Sequence, residues 1–274
     1  MYLKKNLDIV KKIQQADFQG KTKFENKELY IEQNAFDVHL DTPIFRIMEI
    51  EHLISDLNSG VLTHLKACKE TWGDEYENPL LQVCFKEDET GENLTLSGIV
   101  DDFYGLCWTE DKNESQEAWL YFSYGKPAVR IKSTPRKLLS KLMNNDDPFF
   151  MLHHYVGKVK YHSKDEIFNY FTKTHYSHHL DSLGQGAALS LMSLRNQFSS
   201  EREVRLLYSY QPSSSEWVNS NISQNGYLCA VPFKWHEAVD EVTFSPTTTE
   251  CEKSKLKAIL QEHSVNCSVQ NSNL

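Results

Sequence analysis

Two glutamates and an arginine alternate near the start of the segment SSEREVRLLYSY, residues 199–210. In an extended strand every second side chain lies on the same face, so Glu201, Glu203 and Arg205 are predicted to line one face, about 7 Å from one to the next. The apolar residues between them would point to the opposite face, toward the core. Two carboxylates beside a guanidinium can stabilise a developing positive charge and accept a proton. The alternative is a solvated strand face held by salt bridges.

The elements around this segment are predicted to form an α+β fold, because strands and helices mix without regular βαβ spacing. Apolar patterning predicts a short strand at residues 43–48 and a helix that ends near Gly60. Further strands are predicted at residues 103–110, 118–125 and 127–133. A helix is expected to begin at Pro135 after a Ser or Thr cap. The expected architecture is a split, mostly antiparallel sheet with flanking helices.

The amino-terminal part of the chain is predicted to be an appendage. Residues 3–18 carry an apolar stripe at helical spacing, which predicts an amphipathic helix. Residues 19–42 give no clear period and are interpreted as a linker or an irregular strand. The predicted division is therefore a helical arm with its linker, residues 1–42, and a single domain, residues 43–274.

Composition and charge limit the classes of function. The chain of 274 residues is 40 % hydrophobic and has a net charge of −9, which favours a small ligand or a protein partner over general attraction to nucleic acid or membrane. Its six cysteines show no CxxC spacing and are predicted to be reduced thiols. With no signal peptide and no apolar run long enough to span a bilayer, a cytoplasmic protein that does not enter the membrane is expected.

Familiar cofactor and metal motifs are absent from the sequence. There is no GxGxxG, P-loop or GxSxG segment. Three histidines, His175, His178 and His179, have helical spacing but no HExxH context, so a solvated loop is favoured and no metal is predicted. The loop TWGDEYENP, residues 71–79, places Trp72 either as an anchor in the core or as the wall of a ligand site.

One local basic run interrupts the acidic composition. It lies in residues 129–141, directly after the predicted strand 118–125, and no acid separates its members. Such a run can contact the phosphates of a nucleic-acid acceptor, and scattered solvated charges are the alternative. Its members are Arg130, Lys132, Arg136, Lys137 and Lys141.

The order of these segments resembles a bacterial family known as domain of unknown function 2971. The resemblance runs from about Pro43 to the carboxyl terminus, through FRIM, LNSGVL, YGLCWTE, AWLYFSYGKPAVRIKST and LRNQFSSEREVRLL. Its most specific part is Arg195, Phe198 and the E-x-E-x-R ending. The chain departs from the family pattern in its amino-terminal helix, in WGDEYENP and in the histidine-rich stretch. The family name itself implies no activity.

A weaker resemblance supplies a mechanism. An arginine on an early strand, a serine on a middle strand and E-x-E on a late strand are similar to the R-S-E class of ADP-ribosyltransferases; the matching positions are Arg46, Ser123 and the pair Glu201 and Glu203. This resemblance implies NAD as a substrate and no metal. Glu203 would stabilise the ribose cation that forms when nicotinamide leaves, and Glu201 would take a proton from the acceptor.

The same resemblance implies roles for the remaining residues. Arg46 would bind the NAD phosphates, Ser123 would orient the catalytic glutamate, and Tyr121 or Trp119 would stack on nicotinamide. The expected function is that of a bacterial toxin or phage-defence effector, with an antitoxin or regulatory protein bound to the amino-terminal helix. A non-catalytic module that recognises a partner protein is the alternative, and a metal-dependent nuclease is the third hypothesis.

Overall fold

Most of the strands belong to one large sheet. The computed structural model describes residues 4–274, in which eleven strands form this sheet and two pairs of short strands lie apart from it. The strands are β1 (Ala35–Phe36), β2 (Ile44–Glu49), β3 (Val61–Lys66), β4 (Cys84–Lys86), β5 (Asn93–Thr95), β6 (Phe103–Thr109), β7 (Ala128–Ser133), β8 (His154–Lys158), β9 (Lys160–His162), β10 (Ser193–Arg195), β11 (Glu203–Ser209), β12 (Ser223–Asn225), β13 (Leu228–Pro232), β14 (Glu241–Phe244) and β15 (Ser268–Asn271).

Helices flank the large sheet. They are α1 (Leu7–Phe18), α2 (Lys27–Gln33), α3 (Ile50–Ser59), α4 (Lys69–Trp72), α5 (Ser97–Val100), α6 (Gln116–Ser123), α7 (Pro135–Leu142), α8 (Phe150–His153), α9 (Lys164–Lys173), α10 (Gln185–Ser190), α11 (Glu216–Asn221) and α12 (Glu250–Glu262). Three 3-10 helices cover Pro79–Leu81, Tyr176–His178 and Asn196–Glu201. Among the described residues, no helix is long and apolar enough to cross a membrane.

The large sheet is mostly antiparallel, as the sequence predicts. Its main order is β1-β8-β11-β6-β2-β7-β14-β15, and a side branch runs from β6 through β3 and β13 to β12. Within the described residues of this sheet, the pairs β1–β8 and β14–β15 are parallel and every other pair is antiparallel. The predicted α+β fold class is confirmed.

The sheet splits at strand β6. One edge of β6 pairs with β11 over seven residue pairs. On the other edge, β2 pairs only through Phe45 with Thr109, and β3 pairs only with Gly105 and Tyr104. Residues 106–108 therefore face a gap between two diverging strands, which is the split expected from the sequence.

Two hydrophobic clusters cover the faces of the sheet. Alternation along β11 sends Val204, Leu206 and Tyr208 into the larger cluster, with helices α3, α7 and α12. Leu207 points to the smaller cluster, which includes α9 and α10. This is the apolar face that the sequence predicts for the strand. Arg205 lies on the same side as Leu207, so a charged side chain is placed within a packed layer.

The amino-terminal segment packs on the rest of the fold. The predicted helix is confirmed from Leu7 to Phe18, and Leu3 lies outside the described residues. Ile13 and Ala16 are its buried residues, whereas Phe18 is 94 % exposed and does not join the expected apolar stripe. The segment after it differs from the expected linker: residues 27–36 form α2 and β1, and β1 pairs with β8 in the large sheet.

The strand predicted at residues 118–125 is wrong, because this segment belongs to helix α6. Ser115 caps the helix by accepting a hydrogen bond from the Ala118 N–H at 3.0 Å. Trp119 and Ser123 are four residues apart and form its buried face. Tyr124 and Gly125, with φ of 52° and 74°, end the helix in the left-handed region.

Other helices agree with prediction: α3 ends at Gly60, and α7 begins at Pro135 behind a Thr134 cap.

Candidate active site

A buried ion pair marks the start of strand β11. Arg205 donates from Nε to Glu203 Oε1 at 2.9 Å and from Nη2 to Glu203 Oε2 at 3.1 Å. It also donates from Nη1 to the Leu191 carbonyl at 2.6 Å and from Nη2 to Glu77. The guanidinium lies over the ring of Trp72, 4.6 Å from its centroid. Arg205 is 1 % exposed and Glu203 is 3 % exposed, so the solvated strand face is excluded for this pair.

The charges in this cluster do not balance. Two carboxylates share one guanidinium in a buried site. Burial lowers the pKa of Arg205, but the charges of Glu203 and Glu77 outweigh it and raise the pKa above its ordinary value. Burial raises the pKa of Glu77 to about 7, and the charge of Glu203 acts in the same direction while Arg205 opposes both. Burial and the neighbouring Glu203 charge also raise the pKa of the Cys107 thiol. One proton near neutral pH is enough to neutralise the cluster.

Glu201 does not lie on the strand, so the prediction that it shares a strand face with Glu203 is wrong. It ends the 3-10 helix that covers residues 196–201, and Arg202 adopts a left-handed φ of 46° before β11 begins. This turn breaks the period of two on which the prediction rests. Glu201 is half-buried. Burial, followed by the charge of Glu203, raises the pKa of Glu201 to about 7.

Arg46 enters the split of the sheet. From β2 it donates through Nη1 to the Cys107 carbonyl at 2.7 Å, in the part of β6 that has no strand partner on that edge. Burial lowers the pKa of Arg46, and the charges of Cys107, Asp56 and Glu203 act in the opposite direction. The structure thus brings two predicted site residues, Arg46 and Glu203, into the same electrostatic environment across strand β6.

The three predicted residues on α6 make no hydrogen bond to Glu203 or Arg46 in the described part of the chain. Ser123 donates to the Trp119 carbonyl at 2.6 Å and accepts from the Gly125 N–H at 3.2 Å, so it serves the helix end and does not orient Glu203 here. Trp119 is buried and donates through Nε1 to Glu114 at 3.1 Å. Tyr121 is 66 % exposed on the opposite face of the helix.

The basic run is not a free cationic surface. Arg130 is buried over the ring of Phe45, 3.9 Å from its centroid. It donates to the carbonyls of Asp111 at 2.6 Å and Lys112 at 3.1 Å. Lys132 is half-buried on β7. Arg130 is therefore not open to solvent as a phosphate contact would need.

The other members of the run meet acidic side chains. Arg136 binds Asp41 at 2.8 Å and also contacts Glu28. Lys137 forms an ion pair with Asp240, and Lys141 pairs with Glu237 at 3.0 Å. The predicted basic patch is therefore largely neutralised by acidic residues that lie far away in the sequence. These acids could not be identified from residues 129–141 alone.

Residues 72–78 form a loop over the ion pair that the sequence analysis did not connect with the glutamates. Two arginines hold this loop: Arg205 contacts Trp72 and Glu77, and Arg195 donates to Asp74 Oδ2 at 2.8 Å. Gly105 on β6 allows the close approach, because a Cβ there would lie 2.8 Å from the Trp72 ring. The acidic and aromatic composition of the loop is the signal that it faces a cationic site.

The histidine-rich stretch has local partners. His175 contacts Asp88 at 2.8 Å and Ser177 at 2.7 Å. His179 is buried and stacks on Phe171 with ring centroids 5.3 Å apart. Within residues 4–274, no group of three or more His, Cys, Asp or Glu side chains is arranged to hold a metal ion.

Comparison with known proteins gives only weak likenesses to solved structures. The chain matches no protein-family model and no curated protein. It is similar to Thermus sp. 2.9 DarT in complex with ADP-ribosylated ssDNA, at 11 % identity and a TM-score of 0.35, over 86 % of this chain and 96 % of that one. The NAD+ complex of DarT matches at 12 % identity and a TM-score of 0.31, over 84 % of this chain and 95 % of that one. The carba-NAD+ complex matches at 10 % identity and a TM-score of 0.32, over 85 % of this chain and 96 % of that one. Likeness at this level supports no conclusion about activity.

Proposed function

We propose that the chain is an NAD-dependent ADP-ribosyltransferase in which Glu203 stabilises the ribose cation. The observation that carries the proposal is the bidentate Arg205–Glu203 pair next to the split of the sheet, where Arg46 also enters. A carboxylate that two hydrogen bonds hold in a fixed position is what an oxocarbenium-like transition state needs. The proposal includes membership of the 2971 family, since the resemblance rests on the motif that contains Glu203 and Arg205.

In the proposed reaction the bond between ribose C1′ and the nicotinamide nitrogen breaks, and its electron pair leaves with neutral nicotinamide. Glu203 accepts a hydrogen bond from a ribose hydroxyl and stabilises the positive charge on the sugar. The acceptor then attacks C1′ and gives its proton to Glu201, whose pKa of about 7 suits a base at neutral pH. Arg46 binds the diphosphate with its planar guanidinium.

Access to the site is part of the proposal. Glu203 is only 3 % exposed, so the ribose reaches its carboxylate when the loop of residues 72–78 moves aside. The buried indole N–H of Trp72 has no partner within residues 4–274, and it offers a hydrogen-bond donor to a bound substrate. Glu201 is half-buried, and the proposal assigns it to the side from which an acceptor approaches.

The experiment is incubation with NAD labelled in the adenylate part. Nicotinamide release and transfer of label are measured with single-stranded DNA, RNA and protein offered as separate acceptors. Wild-type protein is expected to release nicotinamide, and folded Glu203→Gln protein is expected not to. No release with any acceptor by folded wild-type protein would contradict the proposal.

The proposed setting is a bacterial toxin or phage-defence effector under the control of a protein bound to α1. On α1, Ile13 and Ala16 face the domain, whereas Leu7 and Phe18 are 59 % and 94 % exposed and remain open to a partner. Expression in bacteria tests this setting: wild-type protein is expected to slow growth, and Glu203→Gln protein is expected to be tolerated. Equal growth with both proteins would contradict a toxin.

A non-catalytic binding module is the second candidate, and one observation favours it. Helix α6 and the residue after it expose four large apolar side chains, far more than a helix packed on a sheet needs. They are Leu120, Tyr121, Phe122 and Tyr124. If this is the function, the replacement Tyr121→Ala would abolish recovery of a partner protein while Glu203→Gln would leave it unchanged.

A further inference from the structure

A second chain of hydrogen bonds joins an aspartate, a histidine and a serine. Asp147 Oδ2 lies 2.8 Å from His153 Nδ1, and His153 Nε2 lies 3.1 Å from Ser214 Oγ. Asp147 and His153 are 1 % and 0 % exposed, whereas Ser214 is half-buried. We propose that these residues form a nucleophilic serine site that hydrolyses carboxylic esters. This activity is independent of the proposed glycosidic chemistry and uses none of its residues.

The fold fixes the first two residues firmly. Asp147 Oδ1 accepts the Phe149 N–H at 2.9 Å just before α8, and His153 is the last residue of that helix. The imidazole packs against the ring of Tyr208 on β11, with centroids 6.0 Å apart. Ser214 lies in the loop between β11 and α11, where its N–H donates to the Gln211 carbonyl at 2.9 Å. Three separate segments thus meet at one imidazole.

The proposal assigns a tautomer to His153, because both of its ring nitrogens have polar partners. The proton is placed on Nδ1, which donates it to the carboxylate of Asp147. Nε2 then presents a lone pair to Ser214 Oγ, and the serine hydroxyl turns from the Gln211 carbonyl to donate to it. This is the arrangement in which a histidine removes the proton of a serine hydroxyl while a buried carboxylate orients the ring and stabilises its charged form.

The proposed reaction has two stages. The Ser214 proton moves to His153 Nε2 while Oγ forms a bond to the ester carbonyl carbon, and the alcohol leaves with that proton as the acyl-serine forms. Water then attacks the acyl carbon and gives a proton to His153, which returns it to Ser214 Oγ as the carboxylic acid leaves. No proton is transferred to or from Asp147 in either stage. The N–H of Ser215, the residue after the nucleophile, is assigned to the oxyanion.

A neighbouring cavity indicates the substrate class. It has a volume of about 440 Å³ and lies against both Leu152, which precedes His153, and Gln211, whose carbonyl accepts the Ser214 hydroxyl at 2.6 Å. Its lining is mixed: Ile99, Leu152, Leu180 and Ala187 are apolar, whereas His179, Asp181, Ser182 and Gln211 are polar. The apolar part of this lining suits the short apolar acyl group of an ester, and the polar part suits its oxygen atoms.

The same contacts allow a purely structural role. The Ser214 hydroxyl has one proton and two acceptors, His153 Nε2 and the Gln211 carbonyl, and in a structural role these contacts only hold residues 211–214 against α8. A serine in that role has ordinary reactivity. Covalent reactivity toward an electrophilic phosphonate separates the two roles, because only an activated serine reacts quickly.

The experiment uses the full chain with a fluorophosphonate probe and locates any adduct by mass spectrometry. The adduct is expected on Ser214 in wild-type protein and in the control Ser213→Ala, whose exposed serine is the chain neighbour. Ser214→Ala is expected to show no adduct and to lose hydrolysis of p-nitrophenyl butyrate while keeping the wild-type circular dichroism spectrum.

A second variant tests the histidine tautomer. Asp147→Asn is expected to slow labelling by at least about tenfold, because the imidazole loses the partner that orients it. An absence of labelling on Ser214 in folded wild-type protein, or equal labelling after heat denaturation, would overturn the proposal. Nicotinamide release from NAD by Ser214→Ala is measured in parallel, so that failure of the esterase proposal can be distinguished from failure of the proposed transferase.

Discussion

Arg205 binds both carboxylate oxygens of Glu203 from two positions further along the same strand, and both side chains are buried. The alternation of a β-strand places them on one face, and the planar guanidinium matches the carboxylate. Because Arg205 also contacts Glu77, one cation organises two acids and the loop that carries the second. Arg205 is therefore the cation that joins Glu203 to Glu77 in the candidate site.

Glu203→Gln is expected to reduce nicotinamide release from NAD by about a hundredfold or more, since a neutral amide cannot stabilise the ribose cation as a carboxylate does. Release is followed by chromatography at saturating NAD. Glu262→Gln, at an exposed position in the last turn of α12, is the matched control and should keep full activity. Full activity of folded Glu203→Gln protein would refute the assignment.

Glu201→Gln is expected to spare NAD hydrolysis and to impair transfer to the acceptor, because the role proposed for Glu201 is to accept a proton from the nucleophile. Because the pKa of Glu201 is about 7, the rate of transfer should depend on pH near neutrality. Transfer by the wild-type protein should rise as pH increases through about 7, and the variant should lack this rise. Equal losses of hydrolysis and transfer would show that Glu201 has no separate role in the transfer step.

The free energy of unfolding is expected to fall as pH rises from about 4.5 toward 7. Glu77 and Glu201 have a pKa near 7 in the folded protein against an ordinary value of 4.5, so the folded state binds their protons more tightly. Their contribution to the free energy of unfolding is complete below the pKa of the unfolded state. It is lost as pH rises through the pKa of the folded state. Urea denaturation at a series of pH values measures it, and the double variant Glu77→Gln with Glu201→Gln should show a flatter profile. An unchanged profile would contradict the raised pKa values.

Arg205→Met is expected to lower the free energy of unfolding at pH 7 by about 3–5 kcal/mol, because removal of the cation leaves two buried carboxylates unpaired. The loss should be smaller at pH 5, where Glu77 is protonated. Arg136→Met removes a partly exposed ion pair and should cost less than about 1 kcal/mol. Similar losses for the two variants in urea titrations would mean that the buried cluster contributes no special stabilisation.

Local patterns predicted much of the architecture, and contacts distant in sequence account for what they missed. The period of two placed Glu203 and Arg205 on one face, and cap residues gave the start of α7 and the end of α3. The aromatic residues of α6 favour a strand by propensity, and the Ser115 cap outweighs them.

Two features of the site had no readable signal. Arg202 adopts its left-handed turn without a glycine, so nothing in the segment marks the point where Glu201 leaves the strand. Glu77 meets Arg205 across 128 positions of the chain. A single sequence offers no means of pairing residues so far apart, and the composition of residues 71–79 does not identify Arg205 as their partner.

The basic run supplies a test of the acceptor. If the acceptor is a polynucleotide and these side chains were free, replacing Arg136 and Lys137 with Gln would flatten the slope of log affinity against log salt by roughly two. The structure predicts a change of less than about one, because Asp41, Glu28 and Asp240 already neutralise both cations and phosphate would have to displace them. Fluorescence anisotropy with single-stranded DNA across a salt series measures the slope for wild-type and double-variant protein. A decrease of about two would show that the ion pairs open on binding and that the run does contact phosphate.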